Sequence, residues 1–247
     1  MTRRRGLTVG GVLVAALLSG CILEPVTDSG RDVASLYWWF MLAAAVVFAI
    51  VIGLMAWSII RFRGPAGRDA PIPPLISGNM ALEVVWWALP VLLVAVLAFF
   101  TIVVLGRVDA HGEDPDVTVE VTGYQWGWQF VFPDTGVVVN GTAADPASLP
   151  LPVDRTIAFE IHSADVVHSF NIPAFLIKRD AVPTRVNRFD VVIEEEGTYG
   201  GQCGEFCGLL HARQLFEIEA MSGEDFDAWL AGQEPSEARL MPGASAP

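Results

Sequence analysis

The sequence predicts a membrane-anchored all-β protein, with an N-terminal two-helix transmembrane hairpin followed by an exported β-sandwich or small barrel. Three observations carry this. The 247 residues are 53% hydrophobic and only 17% charged, greasier and less charged than soluble domains, which hold about 25% charged residues. Two long uncharged stretches lie in the first half. The second half switches to short alternating runs broken by turn residues.

The charge follows the same division. The formal net charge is −13, with 8 basic and 23 acidic side chains from Arg107 onward and 7 basic and 5 acidic before it. An acidic outer half argues against nucleic acid as a partner, which would call for a basic stripe against phosphate. High hydrophobicity excludes disorder as the main state. Three cysteines are too few for a disulfide scaffold.

Residues 1–20 read as a signal peptide. Arg3, Arg4 and Arg5 precede an apolar run from Leu7 to Leu18, and Leu18-Ser19-Gly20-Cys21 supplies the small-residue cleavage site. A cysteine in that place resembles a bacterial lipoprotein box, so Cys21 is expected as the lipid-modified first residue of the mature chain. Residues 21–35 then form an exported segment.

Residues 36–60 are expected to be the first transmembrane helix. No charge occurs between Asp32 and Arg61, and Tyr37, Trp38, Trp39 and Trp57 sit near the ends, as interfacial aromatics do in a span of about 20 apolar residues. Residues 81–107 form the second, containing Trp86, Trp87 and Pro90. The connecting loop, 61–80, carries Arg61, Arg63 and Arg68 against Asp69. The positive-inside rule places that loop in the cytoplasm and both flanking segments outside, which agrees with the export signal.

Residues 108–232 are expected to be the exported domain. Val117–Thr122, Trp126–Phe132, Thr156–Ile161, Val166–Ile172, Val186–Ile193 and Gln214–Ile218 read as strands of an antiparallel sandwich or small barrel. Pro133-Asp134-Thr135-Gly136, Asn140-Gly141, Asp145-Pro146 and Glu196-Gly197 read as turns between them. Ser222-Gly223-Glu224-Asp225 resembles a capping box that opens a helix reaching about Ala231. Residues 233–247 are rich in Pro, Ser and Ala and are expected to fray.

The chemistry concentrates in Cys203-Gly204-Glu205-Phe206-Cys207-Gly208-Leu209-Leu210-His211, with His168 upstream in Asp165-Val166-Val167-His168. Two thiolates and two imidazoles suit copper or zinc, and spacing alone leaves both open. A strand-rich exported domain with its ligands in one late loop favours copper. Two cysteines also permit a dinuclear centre bridged by thiolates. A structural Cys203–Cys207 disulfide would leave both histidines without a reason. His111 and His162 carry no expected role.

Together these features resemble subunit II of the haem–copper cytochrome c oxidases, over about Tyr37 to Trp229. The resemblance implies a cupredoxin-like Greek-key domain carrying a dinuclear copper A centre. Cys203 and Cys207 would be the bridging thiolates, and His168 and His211 would each hold one copper. Glu205 would contribute its backbone carbonyl, and its carboxylate a contact to a Mg²⁺ shared with subunit I. Tyr124-Gln125-Trp126-Gly127-Trp128 matches the family's tryptophan-rich segment. Trp126 would be the port for electrons from cytochrome c or a membrane-tethered cytochrome c domain, whereas Trp128 reads as core. Glu83, at the mouth of the second helix, would serve the entrance of a proton channel in subunit I. Asp165 is a candidate contact for a cationic donor.

The sequence departs from the family at one ligand. A methionine is expected three residues after the second histidine; Gln214 stands there, and Met221 is too far along. Gln214 is therefore a candidate weak axial ligand through its amide oxygen.

The implied activity is acceptance of electrons at copper A and their delivery to haem in subunit I. There O₂ is reduced to water with proton translocation, so the reducing site lies in the partner. Subunits I and III and the lipid bilayer are the implied partners. The bacterial plasma membrane is the implied location, with N-terminus and C-terminal domain outside. Two rivals are a copper-handling membrane lipoprotein, which would have no need of Trp126, Glu205 or Glu83, and a quinol-oxidase-type subunit II, which would lack the copper ligands.

Overall fold

The computed structural model describes residues 24–64, 75, 78–112 and 114–236. Cys21 and the signal peptide lie outside them. The chain divides into two compact units, a hairpin of residues 35–108 and a second unit formed by the segment before it and the chain after it.

Within the hairpin, helix α1 runs Asp28–Arg61 and helix α2 Met80–Val108. Residues 35–61 of α1 rise about 40 Å at 1.5 Å per residue, enough to cross a hydrocarbon core of about 30 Å. The side chains in the apolar stretches of both helices are not buried inside the protein. Trp39, Phe48, Trp87 and Ile102 are each more than 60% exposed, an arrangement suited to lipid. Asn79 caps α2 by accepting from the Leu82 amide at 3.1 Å. Pro90 lies inside α2.

Helix α1 starts earlier than residue 36 because residues 24–34 belong to the second unit. Thr27 caps the helix, accepting from the Gly30 amide at 3.0 Å. Asp28 accepts from the Val192 amide at 3.0 Å, and Thr27 bridges Ile193. Thr27, Ser29 and Ala34 are buried there. The segment before the hairpin is thus stitched to the β-domain by the Thr27 bridge and the Asp28 side chain.

The β-domain is a sandwich of two five-stranded sheets. Its strands are β1 Val117–Tyr124, β2 Gly127–Phe132, β3 Val137–Thr142, β4 Ala147–Pro152, β5 Thr156–Ser163, β6 His168–Ile172, β7 Ile177–Ala181, β8 Asn187–Val192, β9 Gly197–Cys203 and β10 Leu215–Met221. One sheet has the order β3-β2-β1-β5-β8 and the other β4-β10-β9-β6-β7. The expectation of a purely antiparallel sandwich needs correction, because β1 with β5 and β4 with β10 pair in parallel.

Alternation explains the inner faces. Val117, Val119 and Val121 of β1, Ile157, Phe159 and Ile161 of β5, and Phe216 and Ile218 of β10 all point inward. Phe170 stacks on Phe216 at 4.7 Å between centroids, and Trp128 meets both rings edge-on at 5.7 and 5.6 Å. Each such side chain contributes about 1.5–3 kcal/mol on burial. This aromatic layer is the floor beneath the cysteine loop.

Four strands escaped the sequence reading, each for a local reason. β3 and β4 are sheet edges, where the prolines Pro150 and Pro152 cost no ladder partner on the open side. Asn140-Gly141 is not a turn but part of β3; a Cβ on Gly141 would come within 2.1 Å of the Ala147 backbone. β7 is an edge carrying Lys178, Arg179 and Asp180. β9 contains three glycines, and at Gly201 a Cβ would lie 2.1 Å from the Phe216 ring.

The helix α3, Gly223–Ala231, follows with Ser222 accepting from the Asp225 amide at 3.1 Å. The start of the tail is placed rather than frayed, since the Ser236 amide donates to Gly136 at 3.0 Å; residues beyond 236 lie outside the described set.

Candidate metal centre

Strand pairing assembles the site. β6 and β9 are antiparallel neighbours with Phe170 opposite Cys203. His168, the first residue of β6, and Cys203, the last of β9, therefore emerge at the same end of the sheet. The chain then loops through Cys207, turns at His211–Arg213 and re-enters the sheet at β10 just after Gln214. Gly208 has φ +120°, a backbone that favours glycine. The Gly204 amide ties the loop to Ser169 O at 2.9 Å.

The donors converge as follows. The two sulfurs are 3.8 Å apart, too far for a disulfide of about 2.05 Å, and both cysteines are free. Cys203 Sγ lies 3.9 Å from His168 Nδ1, and Cys207 Sγ 3.6 Å from His211 Nδ1. The Glu205 carbonyl oxygen is 3.2 Å from Cys203 Sγ. Gln214 Oε1 is 3.0 Å from Cys207 Sγ and 3.0 Å from His168 Nδ1. His168, Cys203 and Cys207 form one tight buried group. His211 lies against Cys207 and also hydrogen-bonds toward Cys203.

The tautomer of His168 follows from its partner. Its Nε2 is 2.8 Å from Asp165 Oδ1, so the Nε2–H donates to that carboxylate oxygen. Nδ1 is left with its lone pair toward the sulfurs. Asp165 also accepts from the Val166 amide at 2.6 Å and the Gln125 amide at 2.7 Å. Asp165 is thus engaged inward, beside the centre. Its side chain is 16% exposed and turned onto His168.

The thiols carry an uneven charge. Burial raises Cys203, but hydrogen bonds from His168 and from backbone groups outweigh it and bring it down to about 6. Burial, then the Cys203 charge beside it, pushes Cys207 up to about 12. Bringing both to thiolates in this buried pocket requires a positive charge between them. Soft sulfur and neutral imidazole as the donors fit copper.

The remaining expected residues fall around this centre. Trp126, half-buried, donates from its indole Nε1 to Cys207 O at 3.2 Å, and Gln125 Nε2 donates to the same oxygen at 2.6 Å. Trp128 is fully buried in the core, 6.1 Å edge-on from His168. The carboxylate of Glu205 pairs with Lys178, the only lysine in the chain. Glu83 lies in the first turn of α2, in the other unit. Phe206 and Leu209 of the loop are 82% and 88% exposed, and the Phe206 ring meets His211 at 5.6 Å.

Sequence reading missed four participants. Asp165 as the partner of His168 was signalled by their three-residue spacing. The amide of Gln125, the pairing of Lys178 and the carbonyls that hold Gln214 had no local signal, since each depends on strands far apart in the chain.

Comparison with known proteins agrees with this architecture. The family described as cytochrome c oxidase subunit II, periplasmic domain, matches residues 142–221, and its transmembrane domain matches residues 25–104. A probable cytochrome c oxidase subunit 2 of Nocardia farcinica is 31% identical, covering 98% of this chain and 85% of the relative. Cytochrome c oxidase subunit 2 of Alkalihalophilus pseudofirmus is 35% identical, covering 79% and 57%. The crystal structure of the periplasmic domain of the Bradyrhizobium japonicum oxidase subunit II is 30% identical over 48% of this chain and 93% of that one, with a TM-score of 0.45. A membrane-anchoring hairpin joined to a β-sandwich, and relatives matched over most of their length, place this chain in the cytochrome c oxidase subunit II family, a component of a haem–copper oxidoreductase complex.

Proposed function

We propose that the chain is the electron-accepting subunit of a respiratory cytochrome c oxidase. It would take electrons from cytochrome c, or a tethered cytochrome c domain, at a dinuclear copper A centre and pass them to haem in subunit I. The observation that carries this is the convergence of His168, Cys203, Cys207 and His211, with the sulfurs 3.8 Å apart, His168 Nδ1 3.9 Å from Cys203 Sγ and His211 Nδ1 3.6 Å from Cys207 Sγ. His168, Cys203, Cys207 and His211 would hold the coppers, which would supply a one-electron store.

The chain's own residues do the rest. Asp165 holds His168 in the tautomer whose Nδ1 is free. The sandwich floor of Trp128, Phe170 and Phe216 excludes water beneath the sulfurs. Trp126, partly exposed and hydrogen-bonded to Cys207 O, gives a short bonded route from the surface to Cys207. The acidic outer domain steers a cationic donor. The exposed Phe206 and Leu209 suit burial against a partner, here subunit I, where the Glu205 carboxylate would share a Mg²⁺. Subunit III completes the complex. Glu83 at the start of α2 would serve proton uptake into subunit I; Glu83→Ala should slow turnover while reduction by the donor stays fast.

The same reading places the hairpin in the bacterial plasma membrane with the sandwich outside, anchored further by a lipid on Cys21. Copper content of the full-length chain in detergent tests the proposal. Two coppers per chain are expected, falling to one or none in Cys203→Ser and Cys207→Ser. One copper or none in the unaltered chain would refute it.

A further inference from the structure

The segment between β1 and β2 carries an exposed glutamine whose side chain is bonded into the cysteine loop. Gln125 Nε2 donates to Cys207 O at 2.6 Å, and the indole Nε1 of the next residue, Trp126, donates to the same oxygen at 3.2 Å. Chemistry fixes which way the amide faces, since a carbonyl only accepts and Oε1 in that place would set oxygen against oxygen. A carbonyl oxygen has two lone pairs and can serve both donors. The two bonds are unequal. N–H···O bonds centre at about 2.9–3.0 Å, so the Gln125 bond is the tight one and the Trp126 bond lies at the long end.

Gln125 is tied on its other side as well. Its main-chain N–H donates to Asp165 Oδ2 at 2.7 Å, while Asp165 Oδ1 lies 2.8 Å from His168 Nε2. One residue therefore bonds the segment before His168 through its backbone and the cysteine loop through its side chain. The loop leaves room for it. A Cβ on Gly208 would lie 3.1 Å from Gln125 Nε2 and 3.0 Å from Trp126 Cζ2, so a side chain there would press against the glutamine and the indole where they meet the carbonyl.

We propose that Gln125 is a positioning residue for electron entry, holding the Cys207 carbonyl where the Trp126 indole also reaches it. This rests on the reading of Trp126 as the electron port to a copper centre. The balance of that step is simple: one electron leaves cytochrome c and arrives at the centre, and no proton moves at Cys207 O. Gln125 is not a carrier of the electron. It acts through the bond between Trp126 and Cys207 O, which is long and depends on where that oxygen is held.

The first test uses the assembled, copper-loaded oxidase at saturating cytochrome c. Gln125→Ala should slow first-order reduction of the centre about fivefold, the population change that one typical hydrogen bond supports, with copper content and spectrum unchanged. Gln125→Glu, of the same shape but with no donor for the carbonyl, should do the same. Added to Trp126→Phe, Gln125→Ala should slow reduction by less than about twofold more, because residues acting on one contact are not additive. A full fivefold in both backgrounds, or a change below twofold in both single variants, overturns the proposal. The second test needs no metal. In the copper-free full-length chain in detergent, labelled with ¹⁵N-indole tryptophan, the Trp126 resonance is the one missing from Trp126→Phe. Its N–H should exchange with solvent about fivefold faster in Gln125→Ala, as local opening becomes easier. An unchanged exchange rate overturns the proposal whatever the copper content. Faster exchange in a chain that binds fewer than two coppers would overturn the electron-entry role by striking the copper reading, with the contact itself upheld.

Discussion

Replacing Asp165 with asparagine should weaken copper binding about 10–100-fold, the usual cost of losing a partner that orients a ligand histidine. Asp165 accepts from three donors: His168 Nε2 at 2.8 Å and the Val166 amide at 2.6 Å on one oxygen, and the Gln125 amide at 2.7 Å on the other. Asparagine has a single acceptor atom. If that oxygen takes the place of Oδ1, its NH₂ confronts the Gln125 N–H, and a donor is stranded. If it takes the other place, His168 and Val166 lose theirs, and the imidazole can flip tautomer and present an N–H to the sulfurs. Either outcome leaves at least one poorly solvated donor unpaired, at about 1–3 kcal/mol. Competition for copper against a chelator of known affinity reads the effect on the centre, and thermal unfolding of the metal-free protein reads the effect on the loop. The reasoning fails if Asp165→Asn keeps its copper affinity within twofold and unfolds at an unchanged temperature.

Three further outcomes follow from other contacts. Gly201→Val forces a side chain into the Phe216 ring, which a Cβ would already approach to 2.1 Å; overpacking of this kind costs about 1–3 kcal/mol, seen as a lower unfolding midpoint, and an unchanged midpoint would show that the ring can move aside freely. Trp126→Phe removes the indole donor to Cys207 O while keeping an aromatic surface; in the assembled oxidase it should slow reduction by cytochrome c severalfold without altering the copper spectrum, and an unchanged rate would exclude that bond from the route. Burial lowers the pKa of His162 below its ordinary value, against a smaller opposing effect of Glu160. The unfolded chain therefore binds the proton more readily as pH falls through about 6.5, and this part of the stability is present above that pH and lost below it. The fall in unfolding midpoint between pH 7.5 and 5.5 should be smaller in His162→Asn, and an equal fall would assign it to other groups.

The legible parts of this chain were those written in continuous local pattern. The two helices stood out as uncharged apolar runs, and the cysteine loop carried its donors within nine residues. The start of α1 was harder, because Thr27 and Asp28 cap the helix while packed against Ile193 and Val192, contacts more than 160 residues away in sequence. β9, which delivers Cys203, hid behind its glycines; Gly201 is there to admit the Phe216 ring, a reason visible only once β9 and β10 are paired. Asn140-Gly141 carried a turn signal and sits in a strand, since the close approach of Ala147 demands a glycine. At the centre, residue types alone pointed to His168, Cys203, Cys207 and His211. The inward role of Asp165 and the clamp on Gln214 depended on β1 and β2 arriving beside the loop, which no local spacing encodes.

On the proposed function, two thiolates and two imidazoles hold a pair of coppers sharing one electron. The electron paramagnetic resonance spectrum of the oxidised, copper-loaded full-length chain addresses it directly. Hyperfine splitting distributed over two equivalent copper nuclei, at two coppers per chain, is the predicted result. A spectrum of a single isolated copper, or a Cys203–Cys207 disulfide with no copper retained, would contradict the account.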